Sequence, residues 1–151
     1  SKTRAVASTP ISFGKNVKPD GPPNAIAVLC EGWGEPEPWG VWSNGSKSRV
    51  YLPIPAGKPK NLTLKFSAFV FPEHPVQLLN IKANQHELKS LSANKLKGNQ
   101  ITIALDAADW DRSYVLLQFQ FLNSISPKTA GHSIDDRELA IGLESAIFNS
   151  N

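Results

Sequence analysis

The chain has 151 residues, about the length of one domain, with 40% hydrophobic and 19% charged residues. Its net charge is +3, and its lysines are scattered among acidic residues instead of concentrated in one segment, which argues against nucleic acid as a partner. The single cysteine, Cys30, excludes an intrachain disulfide and is predicted to be a buried, inert thiol. No apolar run approaches membrane-spanning length, so we expect no membrane insertion.

The sequence begins without methionine and shows no signal peptide. We therefore expect residues 1–151 to be one domain taken from a longer chain, in which a neighbouring domain is catalytic. Within it, residues 1–24 are rich in turn-forming residues and are predicted to form one edge strand around ISFG and a loop.

The strand predictions follow from apolar residues at every second position. Asn44-Gly45 predicts a type I′ hairpin turn joining GVWS to SRVYLPI. ANQHE predicts a second hairpin, between QLLNIK and LKSL. Further strands are predicted in LTLKFSAFVF, ITIAL, YVLLQFQFL and RELAIGLESAIF. In the last of these, Gly142 and the alternation argue for a strand over a helix.

The fold class that this pattern predicts is all-β. About eight short strands, each with one apolar face, pack as two antiparallel sheets. We therefore expect a two-sheet antiparallel β-sandwich of jelly-roll type, with a closed barrel as the alternative.

The segment EGWGEPEPWGVWSNG contains three of the four tryptophans, Trp33, Trp39 and Trp42. In one interpretation the rings cap an end of the sandwich and are buried. In the other, at least one ring stays exposed and stacks on the apolar face of a sugar, while Glu35 and Glu37 bind its hydroxyls. Trp42, which has strand context, is the one expected to be buried.

Hydrolase motifs are weak in this chain. GHSID places Ser133 beside a histidine and an aspartate, but it lacks the G-x-S-x-G elbow. Glu35 and Glu37 would come from one short loop, which is an unusual origin for an acid–base pair. We expect no catalytic residue, and a small esterase or glycosidase that uses Ser133 or Glu37 is the rival hypothesis.

The segment DAADWDR supplies the metal candidates, Asp106, Asp109 and Asp111 around Trp110. Their oxygens suit calcium, but their spacing is not that of an EF-hand loop. An acidic hairpin loop with a half-buried tryptophan is the favoured interpretation. We therefore expect no cofactor, with structural calcium at these aspartates as the alternative.

Two separated segments, GWGEPEPWGVWSNGSKSRVYLPI and ISPKTAGHSIDDRELAIGLESAIF, resemble motifs of a known group. Together they are similar to the carbohydrate-binding-module-like β-sandwich domains attached to bacterial glycosyltransferases and other cell-surface polysaccharide enzymes. IKANQHEL also fits, although Gln85 replaces the usual glycine of its turn. The chain departs from the pattern at Val41, where members of the group often have arginine.

The resemblance implies that Glu37, Trp42, Asp136 and Arg137 come together. Arg137 would form a bidentate ion pair with Glu37 or Asp136, stacked on Trp42. We favour a structural clasp over direct contact with a ligand, because such charge networks are often structural.

The function that we expect is a non-catalytic accessory domain that binds a bacterial polysaccharide or other glycan. Trp33 and Trp39 are the stacking candidates, and Glu35, Glu37 and Arg137 are the polar ones. Gln118 and Gln120 offer a second site on a sheet face, although a solvent-facing strand side is the favoured interpretation. In the alternative, the domain is structural and packs on a catalytic domain or an oligomer partner through the same tryptophans and Phe69 and Phe71.

Overall fold

The computed structural model describes residues 10–14, 28–86 and 89–150. Strands dominate these ranges, and the one helix among them has four residues. In chain order the elements are β1 (Ile11–Ser12), β2 (Val28–Leu29), β3 (Val41–Trp42), β4 (Lys47–Pro53), β5 (Asn61–Ala68), β6 (Gln77–Ala83), β7 (Lys89–Ala93), β8 (Asn99–Ala104), α1 (Ala107–Trp110), β9 (Tyr114–Phe121) and β10 (Ile141–Asn149).

The strands form two antiparallel sheets. The first sheet has the order β1-β10-β5-β8, and β3 pairs with β10 along the same edge as β1. The second sheet has the order β2-β4-β9-β6-β7. The predicted all-β fold of two antiparallel sheets, a β-sandwich, is confirmed.

The core lies between the two sheets because alternate residues of each strand point inward. In β5 the inward residues are Leu62, Leu64, Phe66 and Ala68, all buried. In β9 they are Val115, Leu117, Phe119 and Phe121. Truncating one such leucine to alanine costs about 2–5 kcal/mol, because a cavity remains where the side chain was.

The predicted hairpin at Asn44-Gly45 is wrong. β3 belongs to the first sheet, whereas β4 pairs with β2 and β9 in the second. A type I′ turn needs positive φ at both central residues, and here Gly45 has it (105°) but Asn44 does not. Both residues instead bind Glu138 just before β10: the Asn44 Oδ1 accepts its amide (3.1 Å) and the Gly45 amide donates to its carbonyl (2.8 Å). The dipeptide thus marks a crossing between the sheets.

Other local predictions are confirmed. β6 and β7 form the hairpin predicted around ANQHE, with Asn84 in the left-handed region at φ 51°. The final segment is the strand β10, and ISFG contributes the edge strand β1. Residues 1–9 and 15–24 of the predicted N-terminal segment lie outside the described residues. Cys30 is half-buried, so the expectation of a buried thiol is wrong.

Membrane-spanning helices are not found in the described ranges, where α1 is far too short to cross a bilayer.

Candidate functional site

Trp39 lies on the outer face of the first sheet, against β10. A Cβ atom at Gly142 would be only 2.5 Å from Cη2 and 2.7 Å from Cζ3 of its ring. The ring of Trp42 is next to it, with centroids 5.3 Å apart and planes at 74°. Position 142 is therefore glycine because the indole of Trp39 fills the space of a side chain there.

A tight loop presents Trp39 to solvent. The amide and carbonyl of Glu37 bond to the carbonyl and amide of Gly40, at 2.7 and 3.3 Å, with Pro38 and Trp39 between them. Gly40 approaches the backbone of Leu143 so closely that a Cβ would be 2.4 Å from its carbonyl oxygen. Gly40 thus lets the loop lie directly against β10, and Trp39 projects from the loop with 39% exposure.

The two tryptophans line a cavity of about 340 Å³ on this face. Its other lining residues are Ser67, Leu96, Lys97 and Glu144. The Ser67 hydroxyl donates a hydrogen bond of 2.7 Å to the Glu144 carboxylate, which fixes the direction of that group. The cavity therefore combines an indole wall with a carboxylate, a hydroxyl and an ammonium group.

The three clustered tryptophans have different roles. Trp39 is exposed, as expected. Trp33 is not an exposed stacking surface: its indole N–H donates to the Arg49 carbonyl (2.8 Å) and its ring packs edge-on against Phe119 at 5.8 Å. Trp42, expected to be buried, is only partly so and lines the cavity. The predicted exposure of Trp33 and the predicted burial of Trp42 are therefore wrong.

The predicted ion pair has a different partner. Arg137 binds Asp135, with its Nε 3.0 Å from Oδ1 and its Nη2 2.7 Å from Oδ2, and does not pair with Glu37 or Asp136. These hydrogen bonds hold the pKa of Asp135 below its ordinary value and raise the pKa of Arg137, with Glu37 adding to that rise. The clasp therefore forms within the segment before β10, because Asp135 is within reach two residues away.

The remaining polar candidates lie outside the Trp39 cavity. Glu35 is exposed and Glu37 is half-buried in the loop that presents Trp39. Asp136 lines a separate cavity with Ser124 and Thr129. Gln118 and Gln120 lie on the outer face of the second sheet, where the Gln120 amide oxygen accepts from Asn80 at 3.2 Å.

Sequence reasoning missed Ser67, Leu96, Lys97 and Glu144. Neither Ser67 nor Glu144 stands out in sequence, since β5 also carries Asn61, Thr63 and Lys65, and β10 also carries Ser145 and Asn149. A register shift between Leu143 and Ser145 in the pairing of β10 with β5 accompanies the placement of Glu144 beside Ser67. The two residues are 77 positions apart, so only the strand pairing brings them together.

The calcium candidates do not form one group. Asp106 caps α1, and Asp109 accepts hydrogen bonds from His86 (2.6 Å), Asn84 (2.8 Å) and the Asp106 amide (2.9 Å). Asp111 is the C-cap, and the metal-capable cluster within the described residues is His86, Asp106 and Asp109. Burial raises the pKa of Asp109, but these hydrogen bonds outweigh it and leave the pKa below the ordinary value. The buried carboxylate is therefore satisfied by protein groups.

Neither a protein-family model nor a curated protein sequence matches the chain. Among solved structures, the chain is similar to a family two carbohydrate esterase from Cellvibrio japonicus, with a TM-score of 0.53 and 8% identity. The likeness is one of fold. It covers 96% of this chain but 34% of the esterase, so the chain spans about a third of that protein.

Two further structural neighbours come from carbohydrate-active proteins. One is the CBM36-1 domain of a multidomain xylanase from the hindgut metagenome of Trinervitermes trinervoides, with a TM-score of 0.48, 9% identity, and coverage of 95% of this chain and 98% of that one. The other is a family GH115 4-O-methyl-alpha-glucuronidase with specificity for decorated arabinogalactans. Its TM-score is 0.49 at 10% identity, and the likeness covers 100% of this chain and 18% of the glucuronidase.

Proposed function

We propose that this domain is a non-catalytic carbohydrate-binding module that holds a glycan in the cavity of Trp39 and Trp42. The observation that carries the proposal is an exposed indole, fixed over Gly142, beside a carboxylate oriented by Ser67. A pyranose has an apolar face of C–H groups and a rim of hydroxyls. A flat aromatic wall with few well-placed polar groups is the arrangement that suits such a ligand.

Each lining group has a role in this binding. Trp39 stacks under the sugar ring, and Trp42 packs edge-on against Trp39 and limits its movement. Because Ser67 binds one oxygen of Glu144, the other oxygen is directed to accept a sugar hydroxyl. Lys97, which is exposed at the edge of the cavity, donates to a ring or hydroxyl oxygen. In this proposal the groups bind the sugar and none of them transfers a proton.

The fold and the sequence resemblance support a proposal about the larger protein in which this domain acts. The esterase whose fold is similar is a carbohydrate-active enzyme, and this chain matches a third of it. The sequence motifs resemble domains attached to bacterial glycosyltransferases. We therefore propose that the ligand is a bacterial cell-surface polysaccharide and that a catalytic domain of the same longer chain is the partner.

A second candidate function is docking onto that catalytic domain, without a glycan. The observation in its favour is a series of rings that continues from Trp42 to Phe69 (6.2 Å) and from Phe69 to Phe71 (5.3 Å). Leu96, 58% exposed, adds apolar surface at the cavity. Apolar surface of this kind also suits a protein interface.

Calorimetric titration of the domain with purified bacterial polysaccharides and their oligosaccharides tests the proposal. Replacing Trp39 by alanine should weaken glycan binding by about 2 kcal/mol, roughly thirtyfold, as expected for a central aromatic contact. Tyr114→Ala is the matched control, because Tyr114 is 41% exposed against 39% for Trp39 but lies on the second sheet. Equal losses in both variants, or no glycan binding at all, would refute the proposal. Binding of the isolated catalytic domain in place of glycan would favour docking.

A further inference from the structure

A second cavity of about 340 Å³ lies away from the Trp39 cavity, between the loop after β4 and the segment from α1 to β9. Its lining includes Pro55, Lys58, Pro59, Trp110, Asp111 and Arg112. It borders the start of β5 near Asn61, whereas Ser67 of the Trp39 cavity lies near the end of that strand. Six residues of strand separate them, roughly 20 Å. The two cavities are thus at opposite ends of β5.

Trp110 gives this cavity a fixed aromatic wall. Its indole N–H donates a 2.6 Å hydrogen bond to the carbonyl of Pro59, which is itself buried. The ring is half-buried and therefore both anchored and partly open to the cavity. A ring held in this way loses little conformational entropy when a ligand packs against it.

Two cationic side chains, Lys58 and Arg112, face the same cavity. Both are exposed, and within the part of the chain that the structure describes neither side chain has an ion pair or a hydrogen bond. Lys58 has a left-handed backbone (φ 53°) directly after Gly57 (φ 104°). Such a conformation costs a non-glycine residue about 1 kcal/mol, and glycine or asparagine would relieve that cost. A lysine therefore lines the cavity at a backbone position where glycine or asparagine would cost less folding free energy.

We propose that this second cavity binds a sugar that carries an anionic group, a carboxylate or a phosphate. The apolar face of the sugar packs on Trp110, and the anion lies between Lys58 and Arg112. Arginine binds either anion through two parallel hydrogen bonds, and lysine adds a point charge. Asp111 accepts a sugar hydroxyl at the edge of the cavity. This site is independent of glycan binding at Trp39.

The test uses calorimetric titration with four probes: trigalacturonic acid, glucose 6-phosphate, neutral maltotriose and inorganic phosphate. An anionic sugar should bind roughly tenfold tighter than maltotriose, with affinity that falls as salt is added. Binding of only one of the two anionic sugars would support the proposal and identify the anion. Binding of inorganic phosphate as tightly as glucose 6-phosphate would overturn it, because Trp110 would then contribute nothing.

The variant that tests the residues is Lys58→Asn with Arg112→Gln. Asparagine tolerates the left-handed backbone, so the loop is preserved while its charge is removed. Affinity for the anionic sugar should fall roughly tenfold. The control is Lys89→Gln, an exposed lysine on β7 that lines neither cavity, and it should leave this affinity unchanged. Loss of affinity in Trp39→Ala but not in the double variant would overturn the second site and leave the first intact.

Discussion

Trp39 occupies the space of the missing side chain of Gly142, since any Cβ at position 142 would overlap the ring at 2.5 Å. Trp39 and Gly142 are 103 positions apart in sequence, so the local sequence around neither residue predicts their contact. Glycine in a strand weakens it by lost packing, and here the indole supplies that packing. The contact holds the proposed stacking surface in one orientation.

Replacing Gly142 by alanine should therefore displace Trp39 from β10. We expect a loss of about 1–3 kcal/mol in the free energy of unfolding, because the new methyl group overpacks the site. Glycan affinity should fall with it. Chemical denaturation and calorimetric titration measure the two effects. Gly34→Ala is the matched control, since its Cβ would meet its nearest neighbour at 3.4 Å and its φ is not positive. Equal effects from both substitutions would contradict the overlap.

Replacing Glu144 by glutamine should weaken glycan binding by about 1 kcal/mol, roughly fivefold, because a charge-assisted hydrogen bond becomes a neutral one. Stability should change little, since the amide oxygen still accepts from Ser67. Glu35→Gln is the control, because Glu35 is exposed and does not line the cavity. A larger loss of affinity for Glu35→Gln would move the polar part of the site to the loop before Trp39.

Replacing Trp33 by phenylalanine should affect stability and not binding. The variant keeps a ring against Phe119 but loses the hydrogen bond to the Arg49 carbonyl, at a cost of about 1 kcal/mol. For a chain of this size the melting temperature should fall by about 2–4 °C. Glycan titration of the same variant checks that binding is unchanged. Weakened glycan binding at unchanged stability would show that Trp33 contacts the ligand after all.

Asp109 should make the fold sensitive to acid. Its pKa is below the ordinary 3.8 in the folded protein, so ionisation stabilises the fold above that pH, and the contribution is lost as the pH falls through the lower folded value. Asp109→Asn should be less stable than the wild type by about 2 kcal/mol at neutral pH. As the pH is lowered from about 5, the variant should also lose less stability than the wild type, because it lacks the Asp109 carboxylate that becomes protonated. Denaturation curves at several pH values measure this, and parallel pH profiles for the two proteins would contradict it.

Arg137→Lys tests whether the ion pair with Asp135 is structural. Lysine cannot form the bidentate contact, but the pair is partly exposed to solvent, so the loss of stability should be small. Glycan affinity should be unchanged, because Arg137 does not line the Trp39 cavity. A strong loss of affinity at unchanged stability would instead make Arg137 a ligand contact.

Much of the fold follows from the sequence alone. The alternation in LTLKFSAFVF and YVLLQFQFL predicts β5 and β9, because a strand with one buried face shows its burial in every second residue. The same local information predicts that the tryptophan segment contributes to the candidate site, and its residues Trp39 and Trp42 line the cavity. It fails for Asn44-Gly45, whose sequence suits a hairpin, because hydrogen bonds to Glu138 fix a crossing between sheets.

The site itself was decided by tertiary structure. Trp33 and Trp39 have nearly the same neighbours in sequence, Gly and Glu or Pro, yet one packs on Phe119 and the other remains open. Which of them is exposed depends on what lies behind each ring, and for Trp39 that is Gly142 on a distant strand. Glu144 meets Ser67 only through the register of β10 with β5. Alternation is a property of single strands and is readable from sequence, whereas a site made of several strands depends on the pairing that the whole core selects.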